Sequence, residues 1–156
     1  MKAPNAAPGL DTRSDEAKAF DASSLAPAKS GAEYNMRSGD LLAPIGAGDA
    51  KLRGALHSME LPATVGGSLA EIGARSSLAF DQLDANGKAL WQKEQQVQLG
   101  RLYPNVAEEL KKVDALVSQA DPKVAQALAE HGFFNAQVCA LLITHTNRMA
   151  ARKAML

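Results

Sequence analysis

Three histidines and one cysteine are the side chains best suited to hold a metal or to act as base and nucleophile: His57, His131, His145 and Cys139. Zinc takes four such ligands at short, characteristic spacings, and a Cys–His pair needs both groups within hydrogen-bond reach. The intervals here match no zinc pattern. Cys139 stands six residues before His145, which sets the two on different sides of a helix. Cys139 is therefore expected to be a small buried hydrophobe. His131, just before Gly132, is expected to favour the negative end of a helix dipole.

The run Phe80-Asp81-Gln82-Leu83-Asp84-Ala85-Asn86-Gly87-Lys88 has the look of an EF-hand calcium loop. That loop needs oxygen ligands at alternate positions, a central glycine and a bidentate glutamate at its end. Counted from Asp84, Ala89 takes the glycine position, Gln95 the glutamate position, and Lys88 replaces a ligand; counted from Gln82, the last position holds Lys93. A helix-breaking turn is the expectation. Gly46-Ala47-Gly48 lacks the Lys-Ser/Thr of a phosphate loop, and no Gly-x-Ser-x-Gly elbow is present. Glu108-Glu109 reads as a first-turn acid pair, placed before Lys112 for an i,i+4 contact. The expectation is a non-enzymatic protein with no cofactor, no metal and no catalytic residue.

The elements behind these residues divide at about Gly67. Up to that point Pro4, Pro8-Gly9, Pro27, Gly31, Gly39, Pro44, Gly46, Gly48, Gly54, Pro62 and Gly66-Gly67 leave room only for short pieces, such as helical turns at 15–20 and 50–57. Residues 1–67 are expected to form an extended arm. From Ser68 the pattern turns helical: a capping box at Ser68 and Glu71, then Leu69, Ile72, Ala79, Leu83, Leu90 and Val97 at helical spacing, with Asn86-Gly87 as a dividing point. Asn105 with Glu108 offers a second capping box before Val106, Leu110, Val113 and Val117. Asp121-Pro122 starts a helix that Gly132 ends, and Asn135 caps a last one bearing Val138, Leu141, Leu142, His145 and Met149. Strand signals are poor throughout. The expected fold is all-α: an extended, breaker-rich arm (1–67) and a small bundle of about four helices (68–156).

Composition narrows the function. Hydrophobic residues reach 46% but aromatics only 4%, so much of the apolar content is alanine, which buries little area per residue. Stability drawn partly from partners is then expected. Seventeen basic residues balance seventeen acidic ones, which argues against a nucleic-acid binder, whose affinity rests on phosphate neutralisation. One cysteine excludes an intramolecular disulfide framework. No stretch is apolar enough to span a bilayer, and the first residues lack the apolar core of a secretory signal, so cytoplasmic production is expected.

Leu41-Leu42, Ile45, Leu52, Leu56 and Leu61 are too apolar for a solvated linker and are expected to anchor the arm on a neighbouring protein subunit. Trp91, the single tryptophan, joins them as either a core anchor or an interface hot spot.

The part from Leu90 to His145 resembles tailed-bacteriophage assembly and virion proteins. The matching residues are Leu90-Trp91 with Glu94, then Tyr103, Asp121-Pro122, Ala127-Leu128 and Gly132, behind a breaker-rich arm. The chain departs from scaffolding proteins in lacking a long acidic coiled coil. The resemblance implies a structural component of a phage-like particle: a minor head, neck or tail protein, or an internal ejected one. Such a chain is assembled in the host cytoplasm and located in the virion. It carries no residue role across. The alternative is a soluble cytoplasmic adaptor or regulatory module of helix-turn-helix type, for which Gln119, Lys123, Gln126 and His131 would be a sparse recognition face. A secreted effector or its chaperone is a third reading.

Overall fold

A computed structural model of the chain describes residues 26–37 and 39–154. Among these the regular structure is entirely helical, as the hydrophobic periodicity implies. The six α-helices are α1 (Asp49–Ser58), α2 (Ala63–Asp81), α3 (Ala85–Leu102), α4 (Val106–Val117), α5 (Pro122–Glu130) and α6 (Ala136–Ala154), with single 3-10 turns at Gly31–Glu33 and Ala43–Ile45. The helical turns expected at 15–20 lie outside the described residues.

Helix α6 is the hub. It packs against α2, α3 and α4, while α1 packs on α5 and on the 3-10 turn at Gly31–Glu33. Val138, Leu142 and Ile143 give α6 its fully buried side, joined by Leu69, Ala70 and Ala74 of α2 and by Val113 and Leu116 of α4. Two side chains serve the amides that begin α6, where no earlier turn supplies carbonyls. Asn135 accepts from Val138 N at 2.8 Å, as its capping position implies, and Gln95 reaches over from α3 to accept from Ala136 N at 2.8 Å.

Helix α5 starts and stops where its sequence dictates. Asp121 accepts from Lys123 N at 2.9 Å with Pro122 in the first helical position. At the far end Gly132 turns left-handed (φ +71°), and Phe133 N donates to Leu128 O at 3.1 Å, closing a Schellman cap. Helix α1 ends the same way, with Leu61 N on Leu56 O and Glu60 N on His57 O. There the left-handed residue is Glu60 (φ 57°), the one non-glycine at positive φ among the described residues.

The expected arm takes a definite course: residues 26–37 and 39–62 form a strap folded onto the helices that follow, and the boundary expected at 67/68 is corrected, because it falls inside α2. Gly66 and Gly67 do not break the helix; they seat the strap. A Cβ on Gly66 would lie 2.2 Å from the Tyr34 ring, and one on Gly67 would lie 2.7 Å from Asn35 O. Two helical glycines cost about 1 kcal/mol each in propensity. The buried ring, together with its hydrogen bond from Tyr34 Oη to Leu61 O at 2.9 Å, offsets that cost. Burial, then the charge of Glu33, pushes the Tyr34 hydroxyl up to about 12. The capping box at Ser68 and Glu71 is consequently absent: both lie within α2, and Glu71 instead accepts the backbone N–H of Arg37.

Arg53 completes the fastening. Its Nη1 donates to Gly31 O at 2.8 Å and Tyr34 O at 2.7 Å, while its Nε holds Asp49 Oδ2 at 2.8 Å. Ala28 N adds a bond to Leu61 O at 3.1 Å.

Two smaller expectations also change. The break after α2 falls at Gln82–Asp84, because Asp84 caps α3 by accepting from Gly87 N at 2.7 Å; Asn86-Gly87 is the first turn of α3. Asn105 makes no side-chain cap, and the acid pair contacts Lys111 and Lys112 at i,i+3 spacing instead of i,i+4.

Candidate interaction surface

The seven residues expected to contact a partner separate into three groups. Leu42, Leu52, Leu56 and Leu61 are fully buried in the chain's own core, and Ile45 packs against that core. Their apolar area is used within the molecule, so as anchors for a second protein they are corrected to core residues of the strap. Leu41 is 47% exposed and stands apart from them.

Trp91 belongs to a third setting, the corner between α2 and α3. Its ring meets Phe80 edge-on, with centroids 4.9 Å apart and planes at 67°. Lys88 Nζ lies 5.3 Å over the other partner, the Phe80 ring. Phe80 in turn rests on Gly132, where a Cβ would come within 2.4 Å of the ring. Asp81 contacts His131 Nδ1 at 3.0 and 3.1 Å, and Ser76 Oγ donates to Gly132 O at 2.7 Å. Trp91 is thus part of a clasp that ties the end of α2 to the end of α5.

Helix α3 carries an exposed face that periodicity alone does not reveal. Its inward row is Trp91, Gln95, Leu99 and Tyr103, each one turn from the next, with Leu99 buried and the others half-buried. The outward row is Leu90, Glu94, Val97 and Arg101. Leu90 and Val97 keep the helical spacing of the apolar series that begins at Leu69, yet they are 62% and 45% exposed. Leu83, seven residues before Leu90, is also exposed. A shallow, open depression of about 380 Å³ runs along this face, lined by Leu90, Lys93, Glu94, Val97, Gln98 and Arg101. Gln98 Nε2 donates to Glu94 Oε1 at 3.3 Å, and Lys93 and Arg101 form no ion pair among the described residues.

The signal was present in residue types. Positions 92–98 read Gln-Lys-Glu-Gln-Gln-Val-Gln, so α3 is polar on nearly all sides and has only one buried residue. A core helix shows a wide apolar stripe with a polar back. Here the isolated Leu90 and Val97 stand among charges.

The groups considered for chemistry are dispersed. His57 is exposed, His131 faces Asp81, and His145 is buried on α6. His145 Nε2–H donates to Met59 O at 3.2 Å, which joins α6 to the end of the strap's helix. Burial holds its pKa below the usual histidine value, outweighing the Met59 bond and the nearby Glu60, while Arg148 lowers it further. Cys139 is buried, and burial with the charge of Asp114 pushes its thiol up to about 11. It is a neutral thiol at physiological pH, poorly suited to attack. Among the described residues no three His, Cys, Asp or Glu side chains gather as a metal site, and no helix is long and apolar enough to cross a membrane. Compared with family models, with curated proteins and with solved structures, the chain matches none.

Proposed function

We propose that this chain is a non-enzymatic subunit of a multisubunit assembly and that it docks through the outward face of α3. The observation that carries the reading is the contrast between the two sides of that helix. One row is packed against α6 and the α2 corner, and the opposite row leaves Leu90 and Val97 uncovered over two turns. Apolar side chains left together on an exposed helix mark contact surfaces. The strap supports the reading in a different way from the one the sequence implied: folded on its own helices, it stabilises the body that presents α3. Weak contacts of this size become effective when many copies engage at once. The specific assembly we propose is a particle of the tailed-phage type, formed in the host cytoplasm, which rests on the resemblance in residues 90–145.

The test is the size of the native complex. Extract from the natural source, run by size exclusion with the chain detected immunologically, should place the wild-type chain in a large species. Leu90→Asp/Val97→Asp should return it to monomer size. Both side chains are exposed, so the double variant keeps its fold. A wild-type chain running as a monomer in that extract refutes the reading.

A further inference from the structure

Leu90 and Val97 are spaced seven residues apart, so they lie almost in line along α3. At 3.6 residues per turn, Lys93 and Glu94 fall between them in height and about 50° to either side of that line. The face therefore has an apolar centre, a positive flank and a negative flank at the same level. Neither charge is engaged in an ion pair among the described residues. The inward row, Trp91 to Tyr103, lies on the side of the helix away from this face.

A two-fold axis parallel to α3 turns one flank into the complement of the other. Leu90 then meets Leu90 of the second chain, Val97 meets Val97, and each Lys93 stands beside the other chain's Glu94. An antiparallel pair would instead set Lys93 flank against Lys93 flank. We propose that the outward face of α3 pairs with the same face of a second copy of this chain, in parallel, with Lys93 and Glu94 forming two symmetric ion pairs across the seam. This rests on the proposed docking role of α3 and names its partner.

Two apolar residues per chain make a small interface, which places the pair in the weak, transient class. The experiment is sedimentation equilibrium of the purified full chain over about 10 µM to 1 mM. Wild type should show a reversible monomer–dimer equilibrium. Lys93→Glu and Glu94→Lys should each weaken it about tenfold, because both pairs become repulsive. An equimolar mixture of the two variants should pair at least as well as wild type, since every cross-chain contact is then attractive. The double variant Lys93→Glu/Glu94→Lys should regain wild-type pairing.

A wild-type chain that stays monomeric over the range overturns the proposal. So do single variants that pair as wild type does, or a mixture no better than its components. If the purified chain fails to pair while the native complex still depends on Leu90 and Val97, the partner is a different protein. Self-pairing is then refuted and the docking role stands.

Discussion

Replacing Gly73 by alanine tests the packing of the molecule at one of its closest helix-to-ring approaches. Gly73 lies inside α2, where alanine is normally preferred by about 1 kcal/mol. Here the added Cβ would sit 2.3 Å from Phe133 Cε2, 2.4 Å from Cζ and 2.6 Å from Cδ2. Ordinary carbon contacts lie at about 3.5–4.0 Å, so the ring or the helix must retreat by roughly 1 Å. Phe133 is fully buried and meets Phe134 edge-on with centroids 5.3 Å apart, which leaves it little room. Overpacking of this kind costs about 1–3 kcal/mol. Three overlapping ring carbons place it at the upper end, and the propensity gain leaves a net loss of about 2 kcal/mol. Gly54→Ala is the matched control, because an added Cβ there meets nothing within 4 Å. It should stabilise by about 0.5–1 kcal/mol. Urea unfolding followed by far-ultraviolet circular dichroism reads both. Phe133→Leu in the Gly73→Ala background should recover part of the loss, as coupling between touching residues requires. A Gly73→Ala chain as stable as wild type, beside a stabilised Gly54→Ala, would refute the close approach of α2 to Phe133.

Three further outcomes follow from the strap and its joints. Arg53→Ala removes charge-assisted bonds to Gly31 O and Tyr34 O; it should cost about 2–3 kcal/mol and open residues 26–37 to limited proteolysis before the helical body is cut, whereas uniform cleavage would contradict the fastening role. Stability should fall as pH drops below about 6.5, because the unfolded chain takes up a proton at His145 that the folded chain, with its lowered pKa, resists. The slope should approach about 1.4 kcal/mol per pH unit until the folded-state value is reached, and His145→Gln should flatten it; an unchanged profile in that variant would remove His145 as the cause. Glu60→Gly relieves the left-handed strain at φ 57° and should raise stability by about 0.5–1 kcal/mol in thermal unfolding.

Local signals in the sequence were legible wherever a short segment decides its own structure. Asp121-Pro122, Gly132 and Asn135 set helix ends through capping chemistry that needs no distant partner, and each end falls where those residues place it. The all-helical character follows from periodicity in the same way. Gly66-Gly67 misled because a glycine pair carries two meanings, break and close approach, and only Tyr34 and Asn35, 32 residues earlier, select the second. Leu42, Leu52, Leu56 and Leu61 were recognised as apolar anchors; what they anchor to is a matter of tertiary contact. For α3 the helical spacing of Leu90 and Val97 gives the helix, but spacing alone does not tell a core stripe from an exposed seam.

The first part of the strap, 28–37, is gripped mainly by its main chain. Arg53 takes hold of two carbonyls, Glu71 accepts a backbone N–H, Gly67 lies against the oxygen of residue 35, and Leu61 O receives the amide of residue 28. Any amino acid but proline presents those same groups. Substitution at 29, 32 or 35 therefore leaves the handholds in place, whereas Arg53, Tyr34 and the glycine pair supply them. In descendants of this chain the exposed positions of 29–35 can drift in letters while the path is kept, and a short set of residues that touch that path from elsewhere or fill the core beneath it, Tyr34, Arg53, Leu61 and the glycine pair, is where inheritance of the fold would be read.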